Sequence, residues 1–207
     1  MDAAAAKRVL HTIREAMDSN RDHLIEIDSA IGDGDLGLTM TKAFAAADDG
    51  LADTDETDVG KLFSQAGMAM AKAAPSTMGT LMATGFMRGG KAVRGKAVLA
   101  PADIAAFFRA FTDGIMERGK TKPGEKTIVD VLDPVAEALA AADTTELSSL
   151  AALASRAGEQ GLEAARGMMA QHGKAAIYRE QTIGKPDPGA TAGLLVVQGF
   201  AAVLEQL

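Results

Sequence analysis

Asp28-Ser29-Ala30-Ile31-Gly32-Asp33-Gly34-Asp35-Leu36-Gly37-Leu38-Thr39-Met40 is the stretch at which this chain changes character. Ahead of it, within residues 2–20, Val9, Leu10, Ile13 and Met17 recur at spacings of three and four, the stripe of an amphipathic helix. Behind it, a helical pattern restarts near Leu36 and runs to about Ala47. Between the two, from Leu24 to Asp35, three aspartates and the breakers Gly32 and Gly34 interrupt the period, which predicts a loop. Helices are therefore the scaffold, and a charged, glycine-jointed loop is the part that stands out from it.

Working outward, residues 48–59 are acidic and polar and read as a solvated linker. Helical patterns then cover 60–73, 76–93, 102–118, 126–141, 145–171 and 189–206. Pro75, Pro101, Pro123 and the Pro186–Gly189 cluster separate most of them, each proline acting as a start or stop signal. Eight helices result, and no segment alternates as a strand does, since Lys96–Leu99 is too short to carry one alone. The predicted class is all-α: one domain over residues 1–207, built as a helical bundle or closed helical barrel with its function at the loops of one end.

Composition narrows the function. The chain has 207 residues, 47% of them apolar and only 4% aromatic, so the expected core is Ala, Leu, Val, Ile and Met. A formal net charge of −7 argues against nucleic acid as a partner, yet leaves phosphorylated ligands open, since metal ions and helix N-termini also hold phosphate. With no cysteine, disulfides, zinc–thiolate sites and thiol catalysis are excluded. The N-terminal residues lack the order of a signal peptide, and no apolar run reaches the roughly 18 residues of a membrane span, so a soluble cytoplasmic protein is expected.

Asp28, Asp33 and Asp35 place three carboxylates within eight residues. Left alone they repel one another. A hard divalent cation such as Mg²⁺ resolves that repulsion, and glycine lets the backbone bend until the side chains converge. The spacing is not that of an EF-hand: a twelve-residue loop begun at Asp28 ends on Thr39, and one begun at Asp33 ends on Phe44. The same run also reads as a helix start, with Asp35 as cap and the other two solvated, and both readings stay open at this point.

Elsewhere the signals are weaker. Gly85-Phe86-Met87-Arg88-Gly89-Gly90-Lys91-Ala92 comes close to a phosphate-binding P-loop. It fails because Ala92 stands where a hydroxyl should reach Mg²⁺ and no buried strand precedes it. Ala74-Pro75-Ser76-Thr77-Met78-Gly79-Thr80 offers small and hydroxylated residues at a helix start, suited to a phosphate or to a plain cap. In Gly124–Asp130, Lys126 is placed to face a phosphate, or the block is an ordinary capped start. Ile183–Ala190 fixes a rigid turn around Asp187. His11, His23 and His172 show no triad or metal spacing and read as structural or exposed, and the 11 methionines read as core filler.

Taken in order, these segments resemble the L subunit of dihydroxyacetone kinase (the DhaL, or DAK2-type, family) from about Asp28 to the C-terminus. The family signature is an Asp, four residues, then Gly-Asp-Gly-Asp-His-Gly-x-Asn-Met; here it reads Asp28, then Gly32 to Met40. The Ser76–Leu81, Gly124–Thr127 and Asp187–Ala190 blocks follow at compatible spacing. The resemblance implies a barrel of eight antiparallel helices, and two Mg²⁺ ions held by Asp28, Asp33 and Asp35 and bridging to ADP or ATP. It further implies nucleotide contacts from Leu36, Gly37, Leu38, Thr39, Thr77, Met78, Gly119, Ile128, Lys174, Asp187, Pro188 and Gly189. No catalytic residue is assigned to this chain. The family's phosphoryl acceptor, a small ketose or triose, sits on a separate K-type subunit, so activity is expected only with that partner. The donor is ATP, or a phosphotransferase-system protein acting on bound ADP; a homodimer is left open. Leu36 and Thr39 replace the family's His and Asn, and Met78 a Ser, which marks a divergent subfamily. Those losses keep a rival in view, a non-catalytic ADP-binding module that regulates a partner such as a transcription regulator.

Overall fold

Prolines and short polar side chains start the helices. Asp2, Asp58, Ser76 and Asp187 accept the amides of Ala5, Lys61, Gly79 and Ala190, while Pro101 and Pro188 take first positions where no amide is needed. The computed structural model describes residues 1–207. It contains α1 (Ala3–Ser19), α2 (Arg21–Ser29), α3 (Leu36–Asp49), α4 (Val59–Ala73) and α5 (Thr77–Ala92). Then follow α6 (Pro101–Gly119), α7 (Val129–Ala140), α8 (Leu147–Arg166), a 3-10 segment (Lys174–Thr182) and α9 (Pro188–Leu204). There is no strand, only an isolated bridge between Asp2 and Val98.

Eight of the helices close a ring in which α1, α3, α4, α5, α6, α7, α8 and α9 each pack on the next, and α9 packs back on α1. Neighbours run in opposite directions. Along α4 and α5, Gly60 abuts Gly90 while Gly67 abuts Ala83; along α5 and α6, Gly85 meets Phe111 while Gly89 meets Phe107. Close approach explains those glycines: a Cβ on Gly60 would lie 2.4 Å from the Gly90 carbonyl oxygen.

The interior differs from the aliphatic core expected from composition. All seven phenylalanines are buried. Their rings stack across the barrel, joining helices that are not neighbours in the ring: Phe63 of α4 and Phe107 of α6 both touch Phe200 of α9, at 5.6 and 5.3 Å between centroids. Few aromatics are present, but every phenylalanine is concentrated here, where each buries the largest apolar area per side chain.

The eight expected helices are present, with adjustments. Leu24–Ser29, read as loop, belongs to α2, a ninth α-helix that stands outside the ring and packs on α3 and α9. Its apolar contribution is only Leu24 and Ile27, too few to mark a period. The helix expected to reach residue 171 stops at Arg166, with Gly167 as its cap. The acidic linker is not wholly solvated: Leu51 is buried and the Thr54 carbonyl accepts from Lys7. Gly85–Ala92 is the second half of α5, with Gly89 and Gly90 buried, and forms no loop at all.

Candidate functional site

Alternation of direction sends the N-termini of α3, α5, α7 and α9 to one end of the ring. There they border a cavity of about 440 Å³, reached by Leu36, Thr77, Ile128 and Pro188, one from each helix start. The first amides of a helix have no partner within it, and each helix carries roughly half a positive charge at this end. Four such ends facing one cavity favour an anion. The C-termini of α4, α6 and α8 lie at the same end with the opposite sign, and each has a basic residue in its last turn, Lys72, Arg118 and Arg166.

One wall is acidic. α2 delivers Asp28, and the chain then doubles back through Gly32 and Gly34 into α3. Glycine is required at both turns: a Cβ on Gly32 would lie 2.2 Å from Asp28 Oδ1, and Gly34 has a φ of 74°. Gly37 lets α2 approach α3, since a Cβ there would lie 2.2 Å from the Arg21 carbonyl oxygen. Oxygens of Asp28, Asp33 and Asp35 consequently come within 4.8 Å of one another. Asp28 Oδ2 accepts the Leu36 amide at 3.2 Å, and Asp33 pairs with the Lys174 ammonium. Asp35 occupies the cap position of α3 but makes no capping bond, so its side chain is not spent on the helix start. Three carboxylates facing one lysine leave a net negative charge. A set of hard carboxylate oxygens at this spacing fits a divalent cation of the Mg²⁺ type.

The opposite wall is a polar knot. Gly124 and Thr127 donate their amides to the two oxygens of Asp130, each at 2.6 Å, which shapes the approach to α7. His172 bonds Glu125 at 2.6 Å; the Lys122 amide first, and His172 next, hold the Glu125 carboxyl below its ordinary value. Lys126 is buried, with its ammonium on the carbonyls of Ala165, Arg166 and Lys185. Burial lowers its pKa, partly offset by Asp187. Asp187 caps α9, and burial pushes its carboxyl up to about 6 despite the Ala190 amide and Lys126. Desolvation thus outweighs attraction on both partners.

Of the residues singled out from sequence, Asp28, Asp33, Asp35, Leu36, Thr77, Met78, Ile128, Lys174, Asp187, Pro188 and Gly189 all line the cavity. Gly37 does not; it is buried against α2. Leu38 and Thr39 face a smaller neighbouring cavity of about 190 Å³ that shares Asp35 and Ser76 with the first. Gly119 lines neither cavity and sits beside Leu81 and Thr121. His172, read as structural or exposed, lies on the cavity wall, and the Lys126 ammonium, read as placed to face a phosphate, is bonded to carbonyls of the last turn of α8 and of Lys185. No local signal marks either, because their partners lie 47 and 39 residues away in the chain.

The model of the DAK2 domain matches residues 30–202. The chain belongs to this family. Among DAK2-domain relatives, it is 32% identical over 187 residues to the "PEP-dependent dihydroxyacetone kinase, ADP-binding subunit DhaL" of Escherichia coli, covering 89% of each chain. It is 32% identical over 200 residues to the corresponding subunit 1 of Listeria innocua, covering 97% of this chain and 94% of the other. Its DAK2 fold also superposes on the crystal structure of dihydroxyacetone kinase from C. freundii in complex with AMP-PNP and Mg²⁺, with a TM-score of 0.73 at 20% identity. That alignment takes in 98% of this chain and 34% of the larger one. No helix is long and apolar enough to cross a membrane.

Proposed function

We propose that this chain, acting as one domain, binds ADP or ATP with two Mg²⁺ ions in the 440 Å³ cavity and serves as the nucleotide-binding subunit of a dihydroxyacetone-kinase-type phosphotransferase. One observation carries this reading: a cluster of three carboxylates within 4.8 Å faces a cavity bordered by four helix N-termini, so cation and anion sites adjoin. Mg²⁺–nucleotide is a ligand with that pair of charges. In support, relatives named as ADP-binding kinase subunits align over nearly the whole chain.

Asp28, Asp33 and Asp35 would hold the metal, which supplies charge neutralisation for phosphoryl transfer when bound. Thr77 and Met78 at the start of α5, both on the cavity wall, would present main-chain donors to a phosphate where His and Asn of the family signature are absent. Lys174, which pairs with Asp33 on the cavity wall, would supply a cation beside the nucleotide phosphates. Ile31, Leu36, Met78, Leu81, Ile128 and Pro188 supply apolar surface to the wall, suited to the uncharged part of the nucleotide. The acceptor is a short ketose or triose held on a K-type subunit, with a phosphotransferase-system protein or free ATP as donor. Relatives named L-erythrulose kinase and triokinase/FMN cyclase, 28% and 26% identical, widen the acceptor class beyond dihydroxyacetone.

The test is calorimetric titration of ADP and ATP into the purified chain, with Mg²⁺ and with chelator, beside Asp33→Ala. Binding that needs both Mg²⁺ and Asp33 is expected. Binding indifferent to both, or none at all, overturns the proposal. Kinase activity of the chain without a partner would overturn the two-subunit part alone.

A further inference from the structure

Lys126 combines two costs. Its φ of 58° lies in the left-handed region, which disfavours a side chain, and its ammonium is buried. All three N–H donors are spent, at 2.8, 3.1 and 2.9 Å, on the carbonyls of Ala165, Arg166 and Lys185. None is left for a ligand. Two of those acceptors belong to the last turn of α8, a negative helix end. The third belongs to the turn that leads into α9.

These acceptors bracket the connection from Gly167 to Pro186, which carries Gly173, Lys174 and Ala175 onto the cavity. The connection has almost no core of its own, since only Ala170 and Thr182 in it are buried. Polar links hold it instead: Gln171 amide to Glu125 carbonyl, Gly184 amide to Arg166 carbonyl, Ala170 amide to the Thr182 hydroxyl, and His172 to Glu125. Lys126 stands where these links meet, between the approach to α7 and both ends of the connection.

We propose that Lys126 is a positioning residue: its buried ammonium pins the 167–186 connection and neutralises the end of α8, so that Lys174 and the Asp187 turn stand at the right distance from the aspartate cluster. The ligand concerned is the Mg²⁺–nucleotide of the preceding subsection, on which this role rests. Lys126 touches no part of it.

The test compares Lys126→Met, which keeps the length and removes the charge, with Lys126→Arg and with Val9→Ala, a core change on α1. Mg²⁺–ADP affinity, melting temperature and amide hydrogen exchange over 167–186 are measured on each. Lys126→Met is expected to weaken binding roughly tenfold or more, as loss of an outer-shell partner does, and to speed exchange in the connection. Lys126→Arg, with its cation restored, is expected to recover most of both. Val9→Ala is expected to lower the melting temperature while leaving affinity within about twofold. If Lys126→Met does not fold, Lys126→Gln takes its place against Lys126→Arg. Unchanged affinity in the neutral variant overturns the proposal, as does a loss no greater than in a core variant of equal melting temperature. A wild-type chain that binds no Mg²⁺–ADP overturns the nucleotide reading instead; exchange over 167–186 then still decides whether Lys126 holds the connection.

Discussion

The two ends of the ring are made of the same parts and use them differently. At the end where α1, α4 and α6 begin, carboxylates are committed. Asp2 caps α1, Asp58 takes the amides of Lys61 and Gly95, and Asp103 takes the Ala100 amide and the Lys96 ammonium. Burial works against ionisation of Asp58, yet the Gly95 and Lys61 amides outweigh it and hold its pKa below the ordinary value. Asp103 behaves alike, with burial outweighed by Lys96 and the Ala100 amide. At the other end Asp130 and Asp187 are committed in the same way, but in the cluster Asp35 has no capping bond, Asp28 has one amide and Asp33 one lysine. Satisfied carboxylates stabilise a fold, whereas under-satisfied ones held together by glycine turns are a binding capacity maintained at some cost to it.

Beneath both ends lies the phenylalanine cluster, and removing it would affect them equally. Phe86→Ala deletes a ring that touches Phe44, Phe63, Phe107, Phe111 and Phe200. A loss of about 3–5 kcal/mol is expected in denaturant titration. A loss confined to one end, seen as two unfolding transitions, would break the picture of a shared floor.

Next in size is the aspartate pair. The double variant Asp33→Asn/Asp35→Asn is expected to weaken Mg²⁺–ADP binding about a hundredfold or more, close to 3 kcal/mol, while the melting temperature holds or rises because like charges are removed. A fall in melting temperature would mean these carboxylates are structural after all. The converse change is Asp58→Ala. It is expected to destabilise by about 1 kcal/mol, as loss of a cap does, with nucleotide affinity unchanged in calorimetry.

These variants also show what could be read from the chain. The aspartate cluster was legible because its members lie within eight residues and the intervening glycines announce the bend. Helix limits marked by proline or glycine were legible for the same local reason. α2 was not, since Leu24 and Ile27 alone carry its buried face. The Lys126 knot and the place of His172 were not, because they depend on carbonyls and carboxylates that only folding brings near. Composition gave the number of phenylalanines but not their convergence on one point, which is a property of five helices together.

Acid sharpens the contrast between the ends. Asp58 and Asp103 titrate lower in the folded chain than the ordinary 3.8, so their stabilisation is complete above that pH and is lost as pH falls through the folded values. Acid unfolding of Asp58→Ala/Asp103→Ala should therefore be shallower than wild type below about pH 4. A parallel curve would show that these carboxylates contribute nothing. The smallest effect expected is that of Lys72→Met, which removes the cation from the last turn of α4. It should cost about 0.3–1 kcal/mol at low salt and less at high salt.

A closed ring whose members alternate in direction obeys a parity rule. Eight helices close it; seven or nine would force two parallel neighbours somewhere, and with them a long crossing connection and two helix ends of like sign side by side. α2, the odd helix, accordingly has no place in the circle and packs outside it on α3 and α9. A helix added to this architecture must therefore come as a whole hairpin within the wall or singly outside it, and α2 occupies a position of the second kind.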